Sequence, residues 1–367
     1  MRMDRNIAPM DVVDQAFKEF TVFSISNSTK ILPAFAILCA VGLPAMDAVA
    51  ASEVNIYSYR QEFLIRPFLD RFTKDTGIAV NVVYAKKGIL QRLKQEGANT
   101  PADVVLTAGF SRLKALQEAG LLQAVDSTAL KANIPAKYRD PKDEWFGLTL
   151  RGRIIAYSKA RVPAGAIQTY EDLVDPKWKG KICVRTGSHY YNRALVASMV
   201  AAHGEAKAEE WVRGLVKNFA RKPQGNDRAQ AKAVYEGVCD IAVMNTYYFG
   251  KMKFNKKNPE QRDWAAGLQI LFPNQGDRGA HVNVSGAGVV KHAKNRANAV
   301  RLLAFLSDGF AQKMYAANNY EYPVKAGVGW SPEVKSWGDF KADDLALVEL
   351  FRLGPTAQRV IDRADWR

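Results

Sequence analysis

Cysteine and histidine are scarce, three and four in 367 residues. No histidine pair and no cysteine cluster stands at metal-ligand spacing, which argues against a zinc enzyme. There is no nucleophile elbow, no glycine-rich phosphate loop and no plausible Ser-His-Asp set, so the chain is not expected to be an enzyme. Low-complexity tracts and short-period repeats are missing, which argues against solenoids and disordered arrays. Past residue 50 no apolar run is long enough to span a bilayer. Hydrophobic residues make up 48% and charged residues 24% of the chain, an ordinary soluble composition. The length exceeds one compact core and suits two lobes.

The first fifty residues read differently. Residues 31–46 (ILPAFAILCAVGLPAM) form an uncharged apolar run behind Lys30, followed by Ala48-Val49-Ala50 ahead of Ala51. A basic residue, an apolar run and a small-x-small site are the marks of a cleaved export signal, so residues 1–50 are expected to be a signal peptide. A membrane anchor is the competing reading, but the run falls short of the about 20 residues a span needs and holds two prolines. Cys39 is not a lipid-anchor site, because Leu38 stands where a small residue is required. The mature protein is then expected to be soluble, monomeric and periplasmic. It keeps Cys183 and Cys239, an even pair and a disulfide candidate in an oxidising compartment.

The whole chain carries a net charge of +15. Without the four basic and five acidic residues of the first fifty, 48 basic residues face 32 acidic ones. The charges are scattered, with no basic stripe interleaved with aromatics, so nucleic acid is not an expected partner.

Along the mature part, apolar alternation predicts strands at residues 53–59, 79–84 and 103–107. Helices are predicted at about 62–76, closed by Gly77, at 88–96 and at 111–119. This βαβαβ order implies an α/β lobe. Residues 181–185 and 238–244 read as strands of a second lobe, with helices at 192–204, 206–219 and 229–236. Two extended segments, 145–158 and 281–291, read as strands crossing between lobes.

The segments after the second-lobe strands are the most informative, because ligands of open α/β sheets bind outside the carboxyl ends of the strands. The first carries Tyr190-Tyr191-Asn192 and the second Tyr247-Tyr248, both read as loops. Cys183 lies eight residues before Tyr191, and Cys239 eight before Tyr247. If the two strands are neighbours, a Cys183–Cys239 bridge ties the tyrosine segments together. A phenolate is a hard anionic oxygen donor, and only a strongly charged cation displaces its proton at neutral pH. Ferric iron meets that requirement, whereas calcium and magnesium prefer carboxylates. Aromatic packing or sugar stacking would also use paired tyrosines.

Seven segments resemble those of periplasmic ferric-iron-binding proteins of bacterial ABC iron-uptake systems. They are YSYRQ (57–61), TPADVVLT (100–107), WFGLTLRGR (145–153), RKPQGNDRAQ (221–230), NTYYFGKM (245–252), HVNVSGAGVVK (281–291) and NNYEYPV (318–324). The resemblance covers nearly the whole mature chain. It implies a type II periplasmic-binding-protein fold: two α/β lobes, each a mixed sheet flanked by helices, joined by two crossing strands. The lobes are expected at 51–152 plus 279–328 and at 153–278 plus 329–367. The resemblance implies Tyr191, Tyr247 and Tyr248 as ligands of Fe(3+), and an inner-membrane ABC permease as partner. Tyr190 falls outside the matching position and is expected to pack beside the ligands.

Some members carry Arg-His-Tyr where this chain has Arg60-Gln61-Glu62. The chain is more similar to an Arg-Gln subgroup that uses three tyrosines and a synergistic anion such as carbonate. Arg60 and Gln61 are then expected to hold the anion, with Arg151 or Arg153. Glu62 reads as a helix N-terminal charge, with a carboxylate contact to the metal as the lesser alternative. His189 neighbours a ligand segment, where a place behind the ligands is the less favoured reading; His281 is expected in a structural role, and His203 and His292 on the surface. A same-fold protein for a small anion or another solute is the alternative that Arg60, Arg151 and Arg153 keep open.

Overall fold

A computed structural model describes residues 52–367. The expected signal peptide lies outside the described residues. Ten strands occur among them: β1 (Glu53–Ser58), β2 (Ala79–Tyr84), β3 (Val104–Thr107), β4 (Leu122–Gln123), β5 (Phe146–Ser158), β6 (Ile182–Cys183), β7 (Ile241–Asn245), β8 (Leu268–Leu271), β9 (Val282–Val290) and β10 (Tyr322–Pro323).

β1 pairs in parallel with β2 and with β3, as βαβαβ order requires. β9 then lies antiparallel between β3 and β5, so this first sheet is mixed. The second sheet is built on the other half of β5, where β7 and β8 pair antiparallel and β6 runs parallel to β7. β5 therefore belongs to both sheets, and all thirteen of its residues are buried. Such continuous burial explains its unbroken run of apolar and small residues around two arginines.

The two crossings expected at 145–158 and 281–291 pair antiparallel from Phe146 to Gly152, and the pairing ends at Arg153, whose backbone N–H donates to the His281 carbonyl at 2.9 Å. The buried Tyr170 hydroxyl joins them, donating to the Arg153 carbonyl and accepting from the His281 N–H. His281 is buried at this junction.

Several element boundaries match the sequence reading. The helix Glu62–Thr76 buries Ile65, Phe68, Leu69 and Phe72 and stops at Gly77, whose φ of 72° suits a residue without a Cβ. The helices expected at 192–204 and 206–219 are both present within Tyr190–Lys217, divided by a kink at Gly204, whose φ of 81° and ψ of 165° are not helical.

Cys183 and Cys239 form a disulfide between the end of the second sheet's β6 and the approach to β7. Replacing both by serine is expected to lower unfolding stability by about 2–4 kcal/mol, checked by chemical denaturation. A loss below about 0.5 kcal/mol would mean that the bridge does not restrain the unfolded chain.

Candidate metal centre between the two sheets

The paired tyrosines are not in loops, as the sequence reading had them. They open helices: Tyr190 and Tyr191 begin Tyr190–Lys217, and Tyr247 and Tyr248 lie in the first turn of Thr246–Lys253. The cause lies in the caps. His189 caps the first helix, its Nδ1 accepting from the Tyr191 N–H at 3.3 Å, and histidine is not a usual capping residue. Burial, then the nearby Arg185, pushes the His189 pKa down to about 3, so the ring stays neutral and able to accept.

All four tyrosines line one cavity of about 320 Å³ between the two sheets. Two further helix starts open on it. Gln61, Phe63 and Leu64 come from the start of Glu62–Thr76, and Asn226 and Arg228 from the start of Asp227–Tyr235. Four helix N-termini thus converge on one space, and each favours negative charge there.

The Tyr191 and Tyr247 hydroxyls are 2.7 Å apart. The Tyr247 and Tyr248 rings pack at 4.4 Å, and the Tyr190 and Tyr191 rings at 4.3 Å. Burial, followed by Tyr191, Tyr248 and Tyr190, raises the Tyr247 pKa well above that of a free phenol. Burial and Tyr248 raise that of Tyr191 as well, against Arg151, which lowers it. Without a cation these phenols are protonated. A cation that displaces their protons must be strongly charged. Among the described residues no group of three or more His, Cys, Asp or Glu side chains is placed to hold a metal ion. The cavity wall offers these phenols and the single carboxylate of Glu321 as anionic or ionisable oxygen donors.

The expected anion contacts separate into two groups. Arg60, Gln61 and Arg151 line the cavity. Arg60 Nη2 donates to Glu321 Oε2 at 2.8 Å, and Thr149 Oγ1 donates to the same oxygen at 3.1 Å. Arg151 Nη1 donates to Ser285 Oγ at 2.6 Å. Arg153 lies outside the main cavity, in a small void behind Tyr191. Its guanidinium donates to Asp227 at 2.7 Å, Asn192 at 2.7 Å and Asn245 at 3.1 Å. Glu62 is exposed and bonded to Arg66 one turn along, as a helix N-terminal charge would be. His203 and His292 are exposed.

The sequence reading missed Asp227. Fully buried, its carboxylate accepts from Arg153, from Arg185 at 3.0 Å and from the Asn245 N–H at 2.8 Å. It therefore ties the ends of the strands that lead to Tyr191 and to Tyr247. Its one visible signal is the Asn226-Asp227 pair behind Gly225, a helix start. Asp227→Ala leaves two guanidinium groups without their carboxylate and is expected to cost about 3–5 kcal/mol of stability in thermal or urea unfolding. Lys86, Arg112, Arg228, Lys251 and Glu321 also line the cavity and were not singled out by sequence.

Residues 99–344 match the family described as bacterial extracellular solute-binding proteins. The chain belongs to that family. Iron uptake protein A1 of Synechocystis is 45% identical to this solute-binding protein, over 86% of this chain and 88% of its own length. The major ferric iron-binding protein of Neisseria meningitidis is 29% identical over 91% and 98%. The crystal structure of apo ferric ion-binding protein A of Pasteurella haemolytica superposes with a TM-score of 0.82 at 47% identity, covering 86% of this chain and 98% of that one. A Trichodesmium protein in complex with iron and citrate superposes with a TM-score of 0.81 at 43% identity, covering 86% and all of its own chain. The fold is the expected two-lobed α/β solute-binding fold, and none of these relatives is named as an enzyme. No helix among the described residues is long and apolar enough to cross a membrane.

Proposed function

We propose that this solute-binding protein captures ferric iron in the cavity between its lobes, through Tyr191, Tyr247 and Tyr248, and delivers it to an ABC permease. The observation that carries this reading is the 2.7 Å separation of the Tyr191 and Tyr247 oxygens at the convergence of four helix starts. An octahedral hard cation with bonds of about 2.0 Å holds neighbouring oxygens about 2.8 Å apart. The pair is thus already spaced for two adjacent positions around such an ion. The relatives named for ferric iron support the choice of metal.

Three phenolates neutralise a trivalent ion but leave half of an octahedron open. Around them the cavity wall carries Arg60, Lys86, Arg112, Arg151, Arg228 and Lys251 against the single carboxylate of Glu321. Carbonate would fill part of the open shell. A multiply charged carboxylate balances the surplus better, and the Trichodesmium neighbour holds citrate with its iron. Arg60, Gln61 and Arg151 are the anion contacts in this reading. Arg153 acts from behind, fixing Asn192 and Asn245 beside the tyrosines.

In this account residues 1–50 direct export to the periplasm, where the protein acts as a monomer. The lobes are residues 51–152 with 279–328, and 153–278 with 329–367.

The excess of cations also favours a second reading, a protein for the anion alone. Calorimetry separates the two. Ferric citrate is expected to bind one to one, and iron-free citrate at least about 100-fold more weakly, a coupling within the usual range between linked ligands. Equal affinity with and without iron would decide for the anion.

A further inference from the structure

Two large apolar side chains near the mouth of the cavity are exposed, Phe63 at 56% and Phe254 at 48%. They come from opposite sides of the cleft. Phe63 opens the helix Glu62–Thr76 beside the first sheet, and Phe254 follows the ligand-bearing helix Thr246–Lys253. Lys251 and Tyr320 link them into a strip. Lys251 Nζ lies 5.5 Å from the Phe63 ring and 5.6 Å from the Tyr320 ring, and Phe254 stacks on Tyr320 at 5.6 Å with planes 10° apart.

Tyr320 is held in an unfavourable conformation. Its φ is 57°, a region that bulky residues avoid. Three contacts hold it there. Its ring lies on Gly250, where a Cβ would come within 2.4 Å of Tyr320 Cγ. Lys251 Nζ donates to the Asn318 carbonyl at 2.6 Å, and Asn319 Nδ2 donates to the Leu64 carbonyl at 2.9 Å. The strip is therefore tied to the helix carrying Tyr247 and Tyr248 and to the helix carrying Phe63. Its spacing depends on how the two sides of the cleft are set.

The strip is also basic. Lys251, Lys253, Lys256 and Lys257 fall within seven residues. Lys253 pairs with Glu333. Lys256 and Lys257 are exposed and have no ion-pair partner among the described residues. Exposed aromatic rings beside unpaired lysines are the composition of a docking surface for an acidic partner with apolar recesses.

We propose that the strip Phe63–Lys251–Tyr320–Phe254, with Lys256 and Lys257, docks this protein onto an acidic outward face of its membrane permease. This rests on the transport reading above and adds the surface that the permease reads. Because the strip joins both sides of the cleft, the partner recognises the lobes in this arrangement.

The test uses two variants whose altered residues lie outside the cavity lining, Phe254→Ser and the pair Lys256→Glu with Lys257→Glu. Ferric binding by the purified proteins is expected to stay within about twofold of wild type, which also reports folding. Uptake of radiolabelled ferric iron, by cells holding each variant as their only copy, is expected to fall about tenfold or more, as for loss of an interface anchor. Wild-type uptake by both variants overturns the proposal. So does flotation of the wild type with phosphatidylglycerol vesicles that both variants lose, since the strip would then read lipid. Failure of the wild type itself to bind ferric iron contradicts the transport reading and is seen separately, in the binding measurement.

Discussion

Tyr247→Phe is expected to lower ferric-iron affinity by at least about 1,000-fold, since even partners behind a metal's ligands are worth 10- to 100-fold. The substitution removes one oxygen and keeps the ring, so its packing against Tyr248 at 4.4 Å survives. It also leaves the Tyr191 hydroxyl without its 2.7 Å partner in the iron-free protein. Competition against a calibrated chelator measures the loss. Tyr235→Phe is the control, because Tyr235 is half exposed and lies outside the cavity lining. An affinity within about tenfold of wild type for Tyr247→Phe would mean that this phenolate does not bind the metal.

The second large effect is pH dependence. Burial pushes the Tyr191 and Tyr247 phenols above their usual value near 10, so in the iron-free protein they hold their protons throughout the physiological range. Binding exchanges those protons for the metal. Affinity therefore falls as pH falls, and levels off only above the raised phenol pKa values. The Tyr191 and Tyr247 phenols ionised together make the fall at least about 100-fold per pH unit, once the chelator's own protonation is accounted for. Acidification is therefore expected to release the iron. Calorimetry in two buffers of different ionisation enthalpy counts the protons directly. At least two released per iron is the expected value, and fewer than two contradicts the ligand set.

The sequence was most legible where local periodicity and chain punctuation set the structure. β2 runs Ala79–Tyr84 as its alternation predicted, and Gly77 closes the preceding helix. Tyr191, Tyr247 and Tyr248 were placed by resemblance, and the structure brings them into one cavity. What escaped depended on distant pairing. Glu321 meets Arg60 across 261 positions, and Asp227 joins partners 74 and 42 positions away. No periodicity reports such contacts. Arg153 shows the same limit. As a residue type it equals Arg151, and only the fold sends one guanidinium to the cavity and the other to Asp227. The tyrosine helices carry no clear start signal in the sequence, because a histidine caps one and Asn245 opens the other without a side-chain cap bond. The helices Leu347–Arg352 and Gly354–Arg363 went unread, although the second packs along Tyr190–Lys217 through Arg363 with Glu205 and Glu209.

The central claim is that tyrosine phenolates hold ferric iron in this cavity. A visible-light titration of the mature protein with ferric citrate tests it most directly. A phenolate-to-iron absorption band should grow to saturation at one iron per chain, and should weaken or vanish in Tyr191→Phe, Tyr247→Phe and Tyr248→Phe. A bound, colourless ferric complex, or a band that all three variants keep unchanged, would contradict the account.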